Sequence, residues 1–117
     1  MIDFSLEKDF TSYKKGDQIF TEGDDGDVMF GLVSGEVELR VNGRYLATIM
    51  DNEIFGEMAL LDSAERSATA IAIKASTVAV ISKERFLEMV KANPDFALEV
   101  MSTLAQRLRV ELKLHSI

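Results

Sequence analysis

From Tyr13 to Ile81 the apolar residues come in short stretches separated by turn chemistry: Lys15-Gly16-Asp17, Glu22-Gly23-Asp24-Asp25-Gly26-Asp27, Ser34-Gly35 and Asn42-Gly43. β-Branched and aromatic residues between such closely spaced turns predict an antiparallel barrel or roll. Val37-Glu38-Leu39-Arg40-Val41 alternates apolar and polar, Asn42-Gly43 supplies the positive-φ positions of a tight hairpin turn, and Tyr45-Leu46-Ala47-Thr48-Ile49 returns. Ala70-Ile71-Ala72-Ile73 and Thr77-Val78-Ala79-Val80-Ile81 continue the pattern.

After Ile81 the period changes. Ser82 caps a helix running from Lys83 to about Ala92, with Phe86, Leu87, Met89 and Val90 on one side. Asn93-Pro94 begins a second helix, since proline at the first helical position loses no hydrogen bond. Its apolar stripe is Ala97, Met101, Leu104, Leu108 and Leu112. The expected architecture is mainly β. An antiparallel β-roll of the double-stranded β-helix or jelly-roll type spans about residues 10–81, and two C-terminal helices span about 82–115. Residues 1–117 are expected to make one domain, because 117 residues with 47% hydrophobic content suffice for one core.

Charge and composition exclude several functions. With 20 acidic residues against 13 basic ones, the net charge of -7 repels a polyanion, so no nucleic-acid partner is expected. The absence of cysteine removes disulfides, thiolate metal sites and a cysteine nucleophile, and fits a reducing cytoplasm. No apolar run is long enough for a membrane span, and Met1-Ile2-Asp3-Phe4 lacks the basic start of a secretion signal. A cytoplasmic location and no membrane partner are therefore expected.

One segment departs from strand and turn. In Ile54-Phe55-Gly56-Glu57-Met58-Ala59-Leu60-Leu61-Asp62 a glycine precedes helix-forming residues, which predicts a turn or two of helix set between strands. Arg66 follows nine residues after Glu57, trailed by Ser67, Ala68 and Thr69. The planar fork of arginine matches two phosphate oxygens, and a serine hydroxyl adds a donor, so the segment reads as an anion site.

These residues resemble the phosphate-binding cassette of the cyclic-nucleotide-binding family, which includes catabolite activator protein, the regulatory subunits of cyclic-nucleotide-dependent kinases and cyclic-nucleotide-gated channels. The likeness extends to Lys15–Asp24 and to Met29–Val37, and so covers nearly the whole chain. It implies a sensor or regulatory module that binds cAMP, preferred on family frequency, or cGMP, and acts on an unknown protein effector in trans. Phe55, Gly56, Glu57, Met58, Ala59, Arg66, Ser67 and Ala68 are its implied ligand-binding residues. Glu57 would accept from the ribose 2′-hydroxyl, Arg66 would pair the exocyclic phosphate oxygens, and the others would complete the cradle. Arg107 and Glu111 align near the base, with a solvated helix face as the alternative for the Glu111 carboxylate. The apolar last helix, together with the resemblance, implies a weak homodimer.

Asn52 stands where the family has glycine, a position asparagine tolerates because it accepts left-handed backbone. Met1–Lys14 looks too short for the helical segment that precedes the roll in fused members, so a stand-alone module is expected. The alternative function is an interaction module that keeps the fold without binding nucleotide. An enzyme is not expected. His115, the single histidine, lies in the tail and cannot supply the metal set of a cupin-type barrel, so no catalytic or metal-ligating residue is assigned.

Overall fold

The structure, a computed structural model, describes residues 2–62 and 65–115, apart from the side chains of residues 61, 62, 111, 114 and 115. Among the described residues there are eight strands: β1 (Phe10–Tyr13), β2 (Gln18–Phe20), β3 (Val28–Ser34), β4 (Val37–Val41), β5 (Arg44–Ile49), β6 (Ile54–Phe55), β7 (Thr69–Ala72) and β8 (Ser76–Ser82). A short helix, α1 (Met58–Asp62), interrupts them, and α2 (Lys83–Ala92) and α3 (Asp95–His115) follow. The strands form two four-stranded antiparallel sheets, in the orders β1-β8-β3-β6 and β2-β7-β4-β5. This is the expected β-roll with C-terminal helices. Asn42 at φ 51 and Gly43 at φ 77 make the turn between β4 and β5, with Val41 paired to Arg44 across it. Asn52 adopts φ 68, the left-handed conformation required at its turn.

Alternation along the strands divides the core in two. Phe30, Leu32, Phe55 and Val78 point into the roll and pack with Val37, Leu39, Ile49 and Ala70 from the other sheet. Their strand neighbours Met29, Ile54 and Ala79 point outward and pack with Ile81 against Met89, Phe96 and Val100 of the C-terminal helices. A sheet covered on both faces needs apolar residues at successive positions, which is why β3 and β8 read as nearly continuous apolar runs. On β4 the partly buried Glu38 alternates with the buried Val37 and Leu39.

The helices begin where the sequence places them, but they bury different faces. Ser82 accepts from the Arg85 N–H at 3.1 Å, as an N-cap should. On α2, Met89 is buried and Phe86 and Val90 are partly buried, whereas Leu87 is exposed, contrary to expectation. On α3 the predicted stripe is also corrected. Phe96 and Val100 are buried and Leu104 partly so, while Met101, Leu108 and Leu112 are exposed. At 3.6 residues per turn, Phe96, Val100 and Leu104 share the face that meets the roll, displaced from the predicted one. The N-terminal segment forms a 3-10 turn, Phe4–Leu6, and Phe4 is fully buried in the outer cluster. Gly31 makes room for it, since a Cβ there would lie 2.3 Å from the Phe4 ring. Arg85 clamps Glu7 with two hydrogen bonds of 2.7 and 2.9 Å, fixing the same segment to the start of α2.

Candidate ligand-binding site

A cavity of about 340 Å³ opens between α1, β2, the β4–β5 hairpin, residues 66–68 and α3. Its size is that of a small-molecule site. One end carries charge and backbone polar groups, from Gly56, Glu57, Arg66 and Ser67; the remaining wall is apolar, from Phe20, Leu39, Val41, Leu46, Leu104 and Leu108. Gly56 has φ 73, a left-handed conformation suited to glycine, and it turns the chain from β6 into α1. Glu57 is consequently carried to the base of the short helix, where the Leu60 N–H donates to its carbonyl at 3.1 Å.

Arg66 is buried to 7% exposure at a junction of three elements. Its backbone is stitched to the loop before β3: the Gly23 N–H donates to its carbonyl at 2.8 Å, and its own N–H donates to the Asp24 carbonyl at 2.7 Å. The guanidinium donates to the Gly56 carbonyl at 2.9 Å and lies over the Phe20 ring, 4.4 Å from the centroid. Burial holds the Arg66 pKa below the usual arginine value, opposed by the charges of Asp27, Asp24 and Glu57. Arginine keeps its proton through such a shift, so the cavity wall carries a desolvated cation.

Glu57 is the second buried charge, at 4% exposure. It is not left unpaired. Arg107 reaches in from α3 to donate to the Glu57 carboxylate and to the Ile54 carbonyl. Burial lowers the Arg107 pKa, against the pull of Glu57 and Glu53. The Arg107 side chain is 15% exposed and joins the last helix to the short helix segment at Glu57.

The structure brings Gly56, Glu57, Met58, Ala59, Arg66, Ser67 and Ala68 to one cavity, together with Arg107. Phe55 stands apart. Its side chain is fully buried and stacks with Phe30 and Phe20 at ring separations of 5.2 and 6.1 Å, so it supports the cavity floor without lining it. The side chain of Glu111 lies outside the described residues, as does that of His115. The sequence reading did not single out Phe20, Leu39, Val41, Leu46, Leu104 or Leu108 as cavity residues, because an inward apolar residue of a roll has the same signature whether it meets a core or a cavity.

Known proteins are similar to this chain in sequence and fold. Residues 10–93 match the family described as cyclic nucleotide-binding domain. The chain is 37% identical over 102 residues to the cyclic AMP receptor protein of Thermus thermophilus, a match that covers 83% of this chain and 47% of that protein. It therefore spans about half the length of that relative. The crystal structure of Thermus thermophilus catabolite activator protein superposes with a TM-score of 0.80 at 35% identity, covering 97% of this chain and 57% of the other. The structure described as cAMP-bound PfPKA-R gives a TM-score of 0.80 at 25% identity, covering 91% of this chain and 36% of that one. With the family model matching most of the chain and the roll shared with these structures, the chain belongs to the cyclic nucleotide-binding domain family.

Proposed function

We propose that residues 1–117 act as one cyclic-nucleotide sensor, that cAMP is its preferred ligand with cGMP as second choice, and that it signals to a protein partner in trans. The observation that carries the reading is the presence of two buried opposite charges, Glu57 and Arg66, in the wall of one largely apolar cavity. A cyclic nucleotide has matching chemistry, with an anionic phosphate and a ribose hydroxyl beside a flat apolar base. Arg66 would meet the phosphate. Glu57 would accept from the 2′-hydroxyl while still holding Arg107, since a carboxylate has about four lone-pair positions. Gly56, Met58, Ala59, Ser67 and Ala68 would frame the phosphate and sugar, and Leu104 and Leu108 would cover the base. The preference for cAMP rests on family frequency, since relatives are named for cAMP and for cGMP alike.

Because Arg107 belongs to α3, a ligand that engages Glu57 also acts on that helix. Ligand binding shifts the population of α3 positions by as much as its affinity differs between them. The outward residues Leu98, Met101, Ala105 and Leu112 recur at steps of three, four and seven, the spacing of a coiled-coil seam. A second copy of the chain fits this self-complementary stripe, giving a weak homodimer. The nucleotide leaves unaltered, because Glu57 is engaged by Arg107 and the ribose and is not free to activate water.

A second reading, a fold kept for protein contacts, draws on Arg107 already occupying Glu57. Titration calorimetry with cAMP, cGMP and 2′-deoxy-cAMP separates the two. Wild type is expected to bind cAMP better than the deoxy analogue, and Glu57→Gln to weaken cAMP and narrow that gap by about tenfold, the loss of one hydrogen bond to a charged acceptor. No binding at millimolar nucleotide would favour the second reading, and AMP in the recovered ligand would contradict the non-catalytic role.

A further inference from the structure

Arg66 is held from two sides by residues that the cyclic-nucleotide reading does not require. On one side lies the Phe20 ring, 4.4 Å from the guanidinium carbon, itself backed by Phe30 at a ring separation of 5.8 Å. On the other lies Gly26. A Cβ on Gly26 would sit 2.3 Å from Nε and 2.5 Å from Cζ of Arg66, far inside contact distance. Gly26 does not need its glycine for backbone reasons, because its φ is not among the positive ones, unlike Gly16, Gly23, Gly35, Gly43 and Gly56. What it provides is the absence of a side chain against a charged plane. The loop that carries Gly26 cannot easily move away from Arg66, since Gly23 and Asp24 are hydrogen-bonded to Arg66 and Asp25 bridges to Glu65.

We propose that Phe20 and Gly26 are positioning residues that clamp the Arg66 guanidinium in one plane before any ligand arrives. The proposal rests on the reading of Arg66 as the phosphate-binding side chain. Its physical content is preorganisation. A long arginine loses rotamer freedom when it binds an anion, and a site that has already removed that freedom binds tighter. The ring contributes cation–π attraction, and the bare glycine lets the plane lie flat against the backbone.

Gly26→Ala tests this with little demand on the fold, since the atoms displaced belong to a side chain and the φ of Gly26 is not positive. In Gly26→Ala, cAMP affinity is expected to fall about 10- to 100-fold, short of the loss from removing the arginine, because the charge is displaced and not deleted. Phe20→Leu should lose about 3- to 30-fold, the range of a partly desolvated cation–π contact. In an Arg66→Ala background, neither substitution should cost further affinity. A ligand-free readout accompanies the titrations. The Arg66 Nε–H resonance of the wild type, lying by an aromatic face, should be shifted upfield and should lose that shift in both variants. Affinities and resonance unchanged from wild type in Gly26→Ala would overturn the clamp, as would a loss that persists undiminished without Arg66. If wild type binds no cyclic nucleotide while the resonance behaves as stated, the functional reading falls and the clamp stands.

Discussion

Three charged side chains, Glu57, Arg66 and Arg107, sit largely out of water around one cavity, and each is compensated differently. Arg66 has a carbonyl and an aromatic face, while Glu57 and Arg107 have each other. Breaking a buried pair leaves an uncompensated charge, which is more costly than the net worth of the pair itself. Arg107→Ala is accordingly expected to lower stability by about 1–3 kcal/mol in urea unfolding, softened because the cavity admits water to Glu57. The double variant Glu57→Gln/Arg107→Ala should lose less than the sum of the two single changes. Strict additivity would mean that the two side chains do not act as a pair. Arg66 was readable as an anion partner from its chemistry, whereas Glu57 took its expected role only from the family resemblance. Arg107 was readable only as a helix position near the ligand, because the contact that gives it a role joins residues 50 apart in the chain.

At the scale of elements, the N-terminal turn and α3 carry most of what the structure adds. Phe4 is 1% exposed and packs with Phe96, Val100 and Met29, so the segment before the roll is part of the core. Phe4→Ala should cost about 3–5 kcal/mol, a large share of a stability of about 5–15 kcal/mol, and a change below 1 kcal/mol would show that the segment does not dock. On α3, Met101 is 55% and Leu112 61% exposed. Sedimentation at tens of micromolar protein should show association that Met101→Lys removes, whereas a wild type that stays monomeric with and without cAMP would exclude the dimer. The hairpin, the cassette helix and the start of α2 were legible because local chemistry fixes them: Asn42-Gly43 permits one turn, Gly56 one bend and Ser82 one cap. Helix faces were less legible. An apolar residue at helical spacing satisfies an inward or an outward stripe, and only the packing of α3 on the outer cluster puts Val100 in and leaves Met101 out.

The whole molecule is a roll whose two sheets enclose one apolar cluster, whose outer face supports the helices, and whose seam between sheets and α3 is left open as a cavity. The cavity is therefore a consequence of the architecture, and the cassette places charge at its one polar end. Among the described residues no helix is long and apolar enough to cross a membrane. The central claim is that this polar end holds a cyclic phosphate through Arg66. Calorimetric titration of cAMP into wild type and Arg66→Ala, each with its thermal melt, tests it most directly. Truncating one partner of a desolvated, hydrogen-bonded charge pair costs about 2–5 kcal/mol, so binding should weaken roughly 30-fold to several thousand-fold. The fold should persist, because the aromatic stack and the loop's backbone hydrogen bonds do not depend on the guanidinium. Equal affinity for cAMP in wild type and Arg66→Ala, at unchanged thermal stability, would contradict the assignment.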